Sequence, residues 1–162
     1  MATESLIRQL TDDSAGRTAG DTVAAVHALV DESMIDPDAG PLGVAEAARL
    51  LGLSSHTLRY YEQEGLVRPA RNASGYRGYS AADLYRLIFL TRMRVSGMTR
   101  ADLRHYIVLA DQGPATEPER REIMLAHRDR IRQRLRELTL ALEATEYKIA
   151  TYGGAPSDRC AP

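Results

Sequence analysis

The stretch GVAEAARLLGLSSHTLRYYEQEG, residues 43–65, decides the fold. Its first half repeats apolar residues at spacings of three and four, which places them on one face of a helix. These residues are Val44, Ala47, Ala48 and Leu51. Gly52 is expected to end this helix, and Gly65 is expected to end a second one. Two short helices joined by a glycine-containing turn predict a helix-turn-helix motif.

The second predicted helix has a hydroxyl residue at its start and two inward-facing residues. Ser54 or Ser55 is placed to cap its N-terminus. Leu58 and Tyr61 are three positions apart, so we expect both to pack into the core. Neighbouring positions on a helix point about 100° apart, so Tyr60 is expected to face away from that core.

The stretch LVRPARNASGYRGY, residues 66–79, predicts a small β-hairpin. Pro69 and the Asn-Ala-Ser-Gly turn interrupt the helical periodicity. Val67, Tyr76 and Tyr79 flank that turn and are residue types that suit short strands. The hairpin also carries three cationic side chains, Arg68, Arg71 and Arg77. A basic loop with interleaved tyrosines therefore stands beside the second helix.

At three further points a hydroxyl residue is followed three positions later by an acid, a pattern typical of capped helix starts. The pairs are Ser80 with Asp83, Thr99 with Asp102, and Thr116 with Glu119. The first two of these helices are expected to end near Gly97 and at Gly113. The fold class is therefore mostly α.

The last predicted helix runs from near Thr116 to Tyr152, a length of roughly 50 Å. Its apolar residues mostly alternate steps of four and three, with Thr145 taking the place between Leu142 and Ile149, which is the seam of a coiled coil. The predicted dimerisation residues are Ile131, Leu135, Leu138, Leu142, Ile149 and Tyr152. Packing onto one small domain would cover only part of this stripe, so we expect a homodimer rather than a monomer.

The net charge of −1 over 162 residues hides two oppositely charged segments. Residues 1–40 hold two arginines against eight carboxylates, a net charge of −6, whereas residues 54–104 hold nine arginines against four, a net charge of +5. Lys148 is the one lysine among 21 cationic side chains. Arginine grips phosphate or guanine bidentately, which points to a polyanion partner. A codon bias toward arginine would give the same count, and both explanations stay open.

A basic helix-turn-helix, an arginine-rich hairpin and a dimerising helix have a direct use on double-stranded DNA. The second helix is narrow enough for the major groove. Its early side chains, which we expect to meet base edges or phosphates, are Ser55, His56, Thr57 and Arg59. The hairpin would brace the flanking backbone as a wing, and a dimer would present two recognition helices to a pseudo-palindromic site.

Several other classes of protein lack support in the sequence. The chain has a single cysteine, Cys160, which excludes an intramolecular disulfide and a thiolate metal cluster within one chain. Its four histidines are scattered, and no nucleophile with a paired base is visible. We therefore expect no enzyme activity, metal or cofactor. The N-terminus does not read as a secretory signal and no long apolar run occurs, so we expect a cytoplasmic protein that does not contact the membrane.

Residues 43–109 resemble the DNA-binding domain of the MerR family of bacterial transcription regulators. The motifs that carry the resemblance are LRYYEQEGL at 58–66, SGYR at 74–77 and YSAADL at 79–84. Residues 108–152 are similar to the dimerisation tail of short family members that lack a separate effector-binding domain, including aldehyde- and electrophile-responsive ones.

The resemblance implies a winged helix-turn-helix domain followed by a long helix that forms an antiparallel coiled coil. It implies a dimer on a promoter whose spacer is too long for RNA polymerase. Bending and untwisting the DNA would realign the promoter elements, so that polymerase is affected through the promoter, and an effector would switch repression to activation. Matching family positions implies DNA contacts by Arg59, Tyr60, Arg71, Gly75, Tyr76 and Arg77.

The sequence departs from two branches of that family. Metal-sensing members bind metal through cysteines near the start of the long helix, and residues 111–130 contain none. Electrophile sensors commonly carry a cysteine close to the DNA-binding domain, which is also missing. Cys160 is interpreted as an incidental thiol. The effector or stress that is sensed therefore stays open.

These patterns predict four segments. Residues 1–40 are expected to be an acidic, flexible extension, and residues 41–112 the winged helix-turn-helix domain. One hypothesis for the extension is that it screens the basic domain, and its role stays open. Residues 113–153 form the predicted coiled-coil helix and residues 154–162 a flexible tail. The alternative to a regulator is a non-enzymatic adaptor that uses the helix-turn-helix and the coiled coil to bind proteins.

Overall fold

The computed structural model describes residues 35–153. These residues divide into two compact units, of which the first ends at Gln112 and the second begins at Gly113. Within this part of the chain, the first unit holds four helices: α1 Val44–Leu50, α2 Ser55–Gln63, α3 Ala81–Val95 and α4 Arg100–Asp111. It also holds one antiparallel sheet, formed by β1 Ala70–Arg71 and β2 Arg77–Gly78. The second unit holds a 3-10 turn, Pro114–Thr116, and α5 Glu117–Thr151. Most of the acidic segment, the C-terminal tail and Cys160 lie outside the described residues.

Helices α1 and α2 form the predicted helix-turn-helix. Gly43 starts α1, and its backbone N–H donates to the Glu46 carboxylate at 3.1 Å. Ser54 caps α2, because its hydroxyl oxygen accepts a hydrogen bond from the Thr57 backbone N–H at 3.0 Å. Of the two candidate caps for α2, Ser54 is thus confirmed. Gly52 in the turn has a φ of +62°, a conformation that costs glycine little.

The core of the first unit is almost entirely aliphatic, as the low aromatic content requires. Its fully buried large side chains are Leu58, Val67, Tyr79, Leu87, Ile88, Leu90, Met98 and Leu103. Tyr61 is buried as well, which confirms its predicted inward orientation. Each such side chain contributes about 1.5–3 kcal/mol relative to exposure. This packing fixes α2 and thereby fixes which of its side chains face outward.

Two of the three predicted caps are confirmed. At α3, the Ser80 N–H donates to the Asp83 carboxylate at 3.0 Å, and the Asp83 N–H donates back to the Ser80 hydroxyl at 3.2 Å. At α4, the Thr99 hydroxyl oxygen accepts from the Asp102 N–H at 3.1 Å. Each pairing satisfies backbone donors that a helix start leaves free.

The third predicted cap is wrong. The Thr116 hydroxyl donates to the Gly113 carbonyl at 2.8 Å, so it closes the 3-10 turn and makes no cap bond to α5. Pro118 lies in the first turn of α5, where a missing N–H costs nothing. The predicted partner, Glu119, serves instead as a carboxylate in the first turn, where it complements the helix dipole.

The hairpin is confirmed, but its strands are shorter than the pattern predicted. Val67 is buried outside either strand, and Tyr76 lies in the loop. Tyr79 continues the ladder as a single bridge to Leu42, with backbone hydrogen bonds of 2.8 and 2.9 Å in the two directions. The wing is therefore tied at its base to the segment that precedes α1.

Helix α5 presents a row of apolar side chains to solvent. The six predicted dimerisation residues are each between 42% and 77% exposed in the single chain: Ile131, Leu135, Leu138, Leu142, Ile149 and Tyr152. A continuous apolar stripe of this kind marks an interaction surface. Among the described residues, no helix is both long enough and apolar enough to cross a membrane.

Candidate nucleic-acid interface

The outward side of α2 carries the residues that we predicted for the major groove. His56 and Arg59 are exposed, while Ser55 and Thr57 are half-buried. The Thr57 hydroxyl lies 2.9 Å from the hydroxyl of Ser54, so it takes part in the cap. His56 and Arg59 are therefore the two long polar side chains of this group that α2 presents.

Tyr60 lies at the edge between the core and this outward side. Its ring centroid is 5.8 Å from that of Tyr61. Its phenolic oxygen accepts a hydrogen bond from the Arg100 guanidinium at 3.4 Å. This hydrogen bond raises the pKa of Arg100. Tyr60 thus joins α2 to the start of α4.

The tip of the wing is a tight turn that leaves one aromatic ring in solvent. The Asn72 side-chain oxygen accepts hydrogen bonds from the backbone N–H groups of Ser74, at 3.0 Å, and Tyr76, at 2.9 Å. Gly75 in this turn has a φ of +79°, in the left-handed region that glycine adopts at little cost. Tyr76 is 72% exposed as a result.

Arg71 and Arg77, which lie in the two strands of the wing, both contact one carboxylate of α2. Glu62 accepts hydrogen bonds from the Nε–H of Arg77 and from an Nη–H of Arg71, the latter at 3.4 Å. The hydrogen bond to Glu62 raises the pKa of Arg77. Arg71 also donates to the Gly75 carbonyl at 3.0 Å. The wing and α2 are therefore joined by ion pairs.

Close packing at the base of the wing explains why a glycine stands in β2. A Cβ atom on Gly78 would lie 3.0 Å from the Cβ of Pro41.

The next residue, Tyr79, is fully buried, and burial raises the pKa of its phenol. The negative charge of Glu62 adds to that rise, whereas the positive charges of Arg77 and Arg59 oppose it.

Two arginines of α4 that sequence reasoning did not select lie beside α2. Arg100 contacts Tyr60, and Arg104 forms an ion pair with Glu64 at 2.8 Å. One signal for Arg100 is present in the sequence. Arg100 is the first residue of a helix, where a positive charge opposes the helix dipole, so a role outside the helix is indicated.

Glu62, which the sequence did not single out, joins α2 to the predicted wing residues Arg71 and Arg77, and Arg100 adds the start of α4 through Tyr60. Glu62 and Glu64 are both paired with arginines, so neither presents an unbalanced negative charge. Across residues 35–153, no group of three or more histidine, cysteine or acidic side chains is placed to hold a metal ion. A basic helix-turn-helix with a hairpin wing defines the class as a DNA-binding domain.

Comparison with known families identifies that class more closely. The family described as MerR HTH family regulatory protein matches residues 43–108, and the one described as MerR, DNA binding matches residues 84–144. The HTH-type transcriptional regulator HmrR of Rhizobium leguminosarum bv. viciae is 33% identical over 119 residues, which cover 74% of this chain and 92% of that protein. The chain belongs to the MerR family of transcriptional regulators and is not an enzyme.

Solved structures of family members share the fold. HiNmlR, a MerR family regulator that lacks the sensor domain and was crystallised with promoter DNA, is 30% identical with a TM-score of 0.59; the match covers 70% of this chain and 90% of that one. PbrR691 from Ralstonia metallidurans CH34, in complex with lead(II), is 29% identical with a TM-score of 0.57, covering 74% and 93% respectively. The protein is thus a DNA-binding transcriptional regulator.

Proposed function

We propose that the protein binds as a homodimer to a pseudo-palindromic bacterial promoter and controls transcription by bending and untwisting an overlong spacer. In this proposal α2 enters the major groove and the hairpin follows the neighbouring backbone. RNA polymerase is affected through the promoter rather than by direct contact. Because bacterial promoters lie in the cytoplasm, the protein acts there.

The observation that carries the proposal is the group of cationic and aromatic side chains on α2 and the wing, two elements that Glu62 links through ion pairs. Arg59 and Tyr76 are exposed on these two elements, and Arg71 and Arg77 are fixed between them. Arginines supply the phosphate contacts that position a protein on DNA. An exposed tyrosine at a hairpin tip adds a flat, amphipathic contact next to those phosphates.

Few long side chains on α2 are available to read bases, which favours recognition by DNA shape. Phosphate contacts carry no sequence information directly, so specificity would come from the cost of deforming a particular spacer. The structure neighbour HiNmlR, which lacks a sensor domain and was crystallised with promoter DNA, supports promoter binding by a short chain. An effector or stress signal would switch the bound dimer between repression and activation.

Dimerisation is supported by the exposed stripe of α5. Its six apolar residues, with Thr145 between Leu142 and Ile149, follow the alternating spacing of a coiled coil. Removing these side chains from water favours association by about 25 cal/mol for each Å² of apolar surface. An antiparallel pairing would place one winged domain at each end of the dimer, which matches two half-sites on DNA.

Footprinting on the protein's own upstream region tests the promoter mechanism directly. We expect a symmetric footprint centred on the spacer and a spacer longer than that of ordinary promoters of the same organism. Hypersensitive positions at the centre would mark the bend. A footprint over a spacer of ordinary length would contradict the distortion mechanism while leaving DNA binding in place.

Two substitutions separate the regulator from a protein-binding adaptor. Arg59→Ala and Arg77→Ala should each weaken binding to the promoter fragment while the dimer persists in solution. Arg132→Ala removes the same charge from α5 and serves as the matched control. Unchanged DNA affinity in both interface variants would contradict the proposed interface.

A further inference from the structure

Glu62 holds an unusual position for a carboxylate in a DNA-binding surface. It extends from α2 to the arginines of the two wing strands, Arg71 and Arg77. The side chain of Glu62 is 23% exposed, and the side chains of Arg77 and Arg71 are 30% and 52% exposed. Its charge is thus partly shielded from solvent but close to where DNA phosphates would lie.

The two arginines are directly opposite each other in the sheet. Arg71 in β1 pairs with Arg77 in β2, so a single carboxylate holds both strands at the last pair before the loop. Arg71 extends this hold to the tip by donating to the Gly75 carbonyl at 3.0 Å. One side chain of α2 therefore fixes the loop end of both strands and, through Arg71, the tip of the wing.

The geometry leaves donors available for a second acceptor. Arg77 uses its Nε–H for Glu62, and Arg71 divides its two Nη groups between Glu62 and Gly75. A guanidinium carries five N–H donors, so each arginine keeps N–H groups that Glu62 does not occupy. The carboxylate can therefore orient the arginines without consuming their capacity to bind phosphate.

Judged by charge alone, the carboxylate of Glu62 should weaken DNA binding. A negative charge beside phosphates repels them, and a partly exposed ion pair adds little to the stability of a fold. The geometry points to a different role. We infer that Glu62 is a positioning residue for DNA binding, which sets the wing against α2 and orients Arg71 and Arg77 before DNA arrives. This inference rests on the proposed interface.

The inference and simple electrostatics predict opposite changes in DNA affinity when the charge of Glu62 is removed. Glu62→Gln removes a negative charge, and by charge alone it should tighten binding to DNA. If Glu62 positions the arginines, the same variant should weaken binding by roughly tenfold, because Arg71 and Arg77 are then no longer directed at phosphate and their contacts are lost. Asp38→Asn removes the same charge from an exposed position before α1, where it orients no arginine, and is the matched control, for which we expect equal or tighter binding.

The salt dependence gives a readout that a loss of folding would not produce. Dissociation constants for the promoter fragment should be measured by fluorescence anisotropy over a series of salt concentrations, with circular dichroism confirming the folded state. Misplacing two arginines should reduce the slope of log K against log salt by up to about 1.8. Tighter binding by Glu62→Gln, or an unchanged slope, would overturn the inference.

A double-mutant comparison links the effect to the wing. In an Arg77→Ala background, Glu62→Gln should cost clearly less than in the wild type, because the arginine that it orients is gone. Full additivity would overturn the positioning role. The proposed interface fails separately: Arg77→Ala alone would then bind like the wild type. Weak binding by Arg77→Ala together with tight binding by Glu62→Gln would reject only the role of Glu62.

Discussion

Arg100 donates a hydrogen bond to the phenolic oxygen of Tyr60 at 3.4 Å, although the two residues are forty positions apart in the chain. The contact joins the first residue of α4 to the outward side of α2. A cation is thereby held next to the predicted recognition helix by an element that the helix-turn-helix motif does not include. The basic surface therefore draws on α2, the wing and α4.

Arg100→Ala is expected to weaken DNA binding and to reduce the salt slope by about 0.9, the value for one lost phosphate contact. Tyr60→Phe keeps the ring but removes the oxygen that holds Arg100, so we expect a smaller loss of affinity. Anisotropy titrations at several salt concentrations measure both. Arg121→Ala on α5 is the control. If Arg100→Ala bound DNA with the same affinity and salt slope as Arg121→Ala, α4 would lie away from the DNA.

Gly78→Ala is expected to destabilise the wing because the new Cβ would lie 3.0 Å from the Cβ of Pro41. Relieving that contact requires a shift in the backbone, and we expect a loss of about 1–3 kcal/mol in the free energy of unfolding. Gly40→Ala is the matched control, since a Cβ there meets nothing within 4 Å. Urea unfolding of both variants tests this, and equal stability would show that the close approach is relieved without cost.

Leu138→Asp is expected to break the proposed dimer because it places a charge in the middle of the apolar stripe. Leu140→Asp makes the same change about 200° further round α5, away from the stripe. Both side chains are exposed in the single chain, so neither variant should unfold it. Sedimentation velocity should show a monomer for the first variant and a dimer for the second; dimers for both would exclude this seam.

Stability should fall at alkaline pH, and Tyr61 should account for part of the fall. Burial raises the pKa of the Tyr61 phenol, an effect that the Thr91 hydroxyl and the charge of Arg94 partly offset. Above pH of about 10 the unfolded chain loses this proton while the folded chain keeps it, so the free energy of unfolding decreases as pH rises.

The measurement for this alkaline effect is urea unfolding at about pH 8 and about pH 10.5. Tyr61→Phe, which has no ionisable group at this position, should lose less stability over that interval than the wild type. Tyr76→Phe alters an exposed ring at the tip of the wing and should behave like the wild type. Equal losses in all three proteins would show that Tyr61 does not contribute.

Local patterns predicted the helices well because each depended on neighbouring residues. Spacings of three and four identified the buried Leu58 and Tyr61, and hydroxyl residues marked the starts of α2, α3 and α4. The same pattern failed at Thr116, because Gly113 and Pro114, which precede it, favour a 3-10 turn over a side-chain cap. Hydroxyl caps are thus informative only where the flanking backbone permits them.

The site was predicted less completely because its contacts are distant in sequence. Glu62 lies fifteen positions from Arg77, and no helical or strand periodicity links the two. The extent of the hairpin was misjudged for a similar reason, since Tyr79 pairs with Leu42 across the domain. Folding brings these residues together, and residue spacing alone does not identify which acid meets which arginine.

The near absence of lysine has a chemical consequence for the surface that faces DNA. Lys148 is the one lysine of the chain, and it lies on α5 with its ammonium 4.7 Å from the centre of the Tyr152 ring. Acylation neutralises lysine, whereas arginine stays charged at any pH that cells reach. The cationic charge of α2, the wing and α4 is therefore constant under acetylation. In the proposed mechanism, a signal that weakens DNA binding therefore changes the position of these arginines and leaves their charge intact.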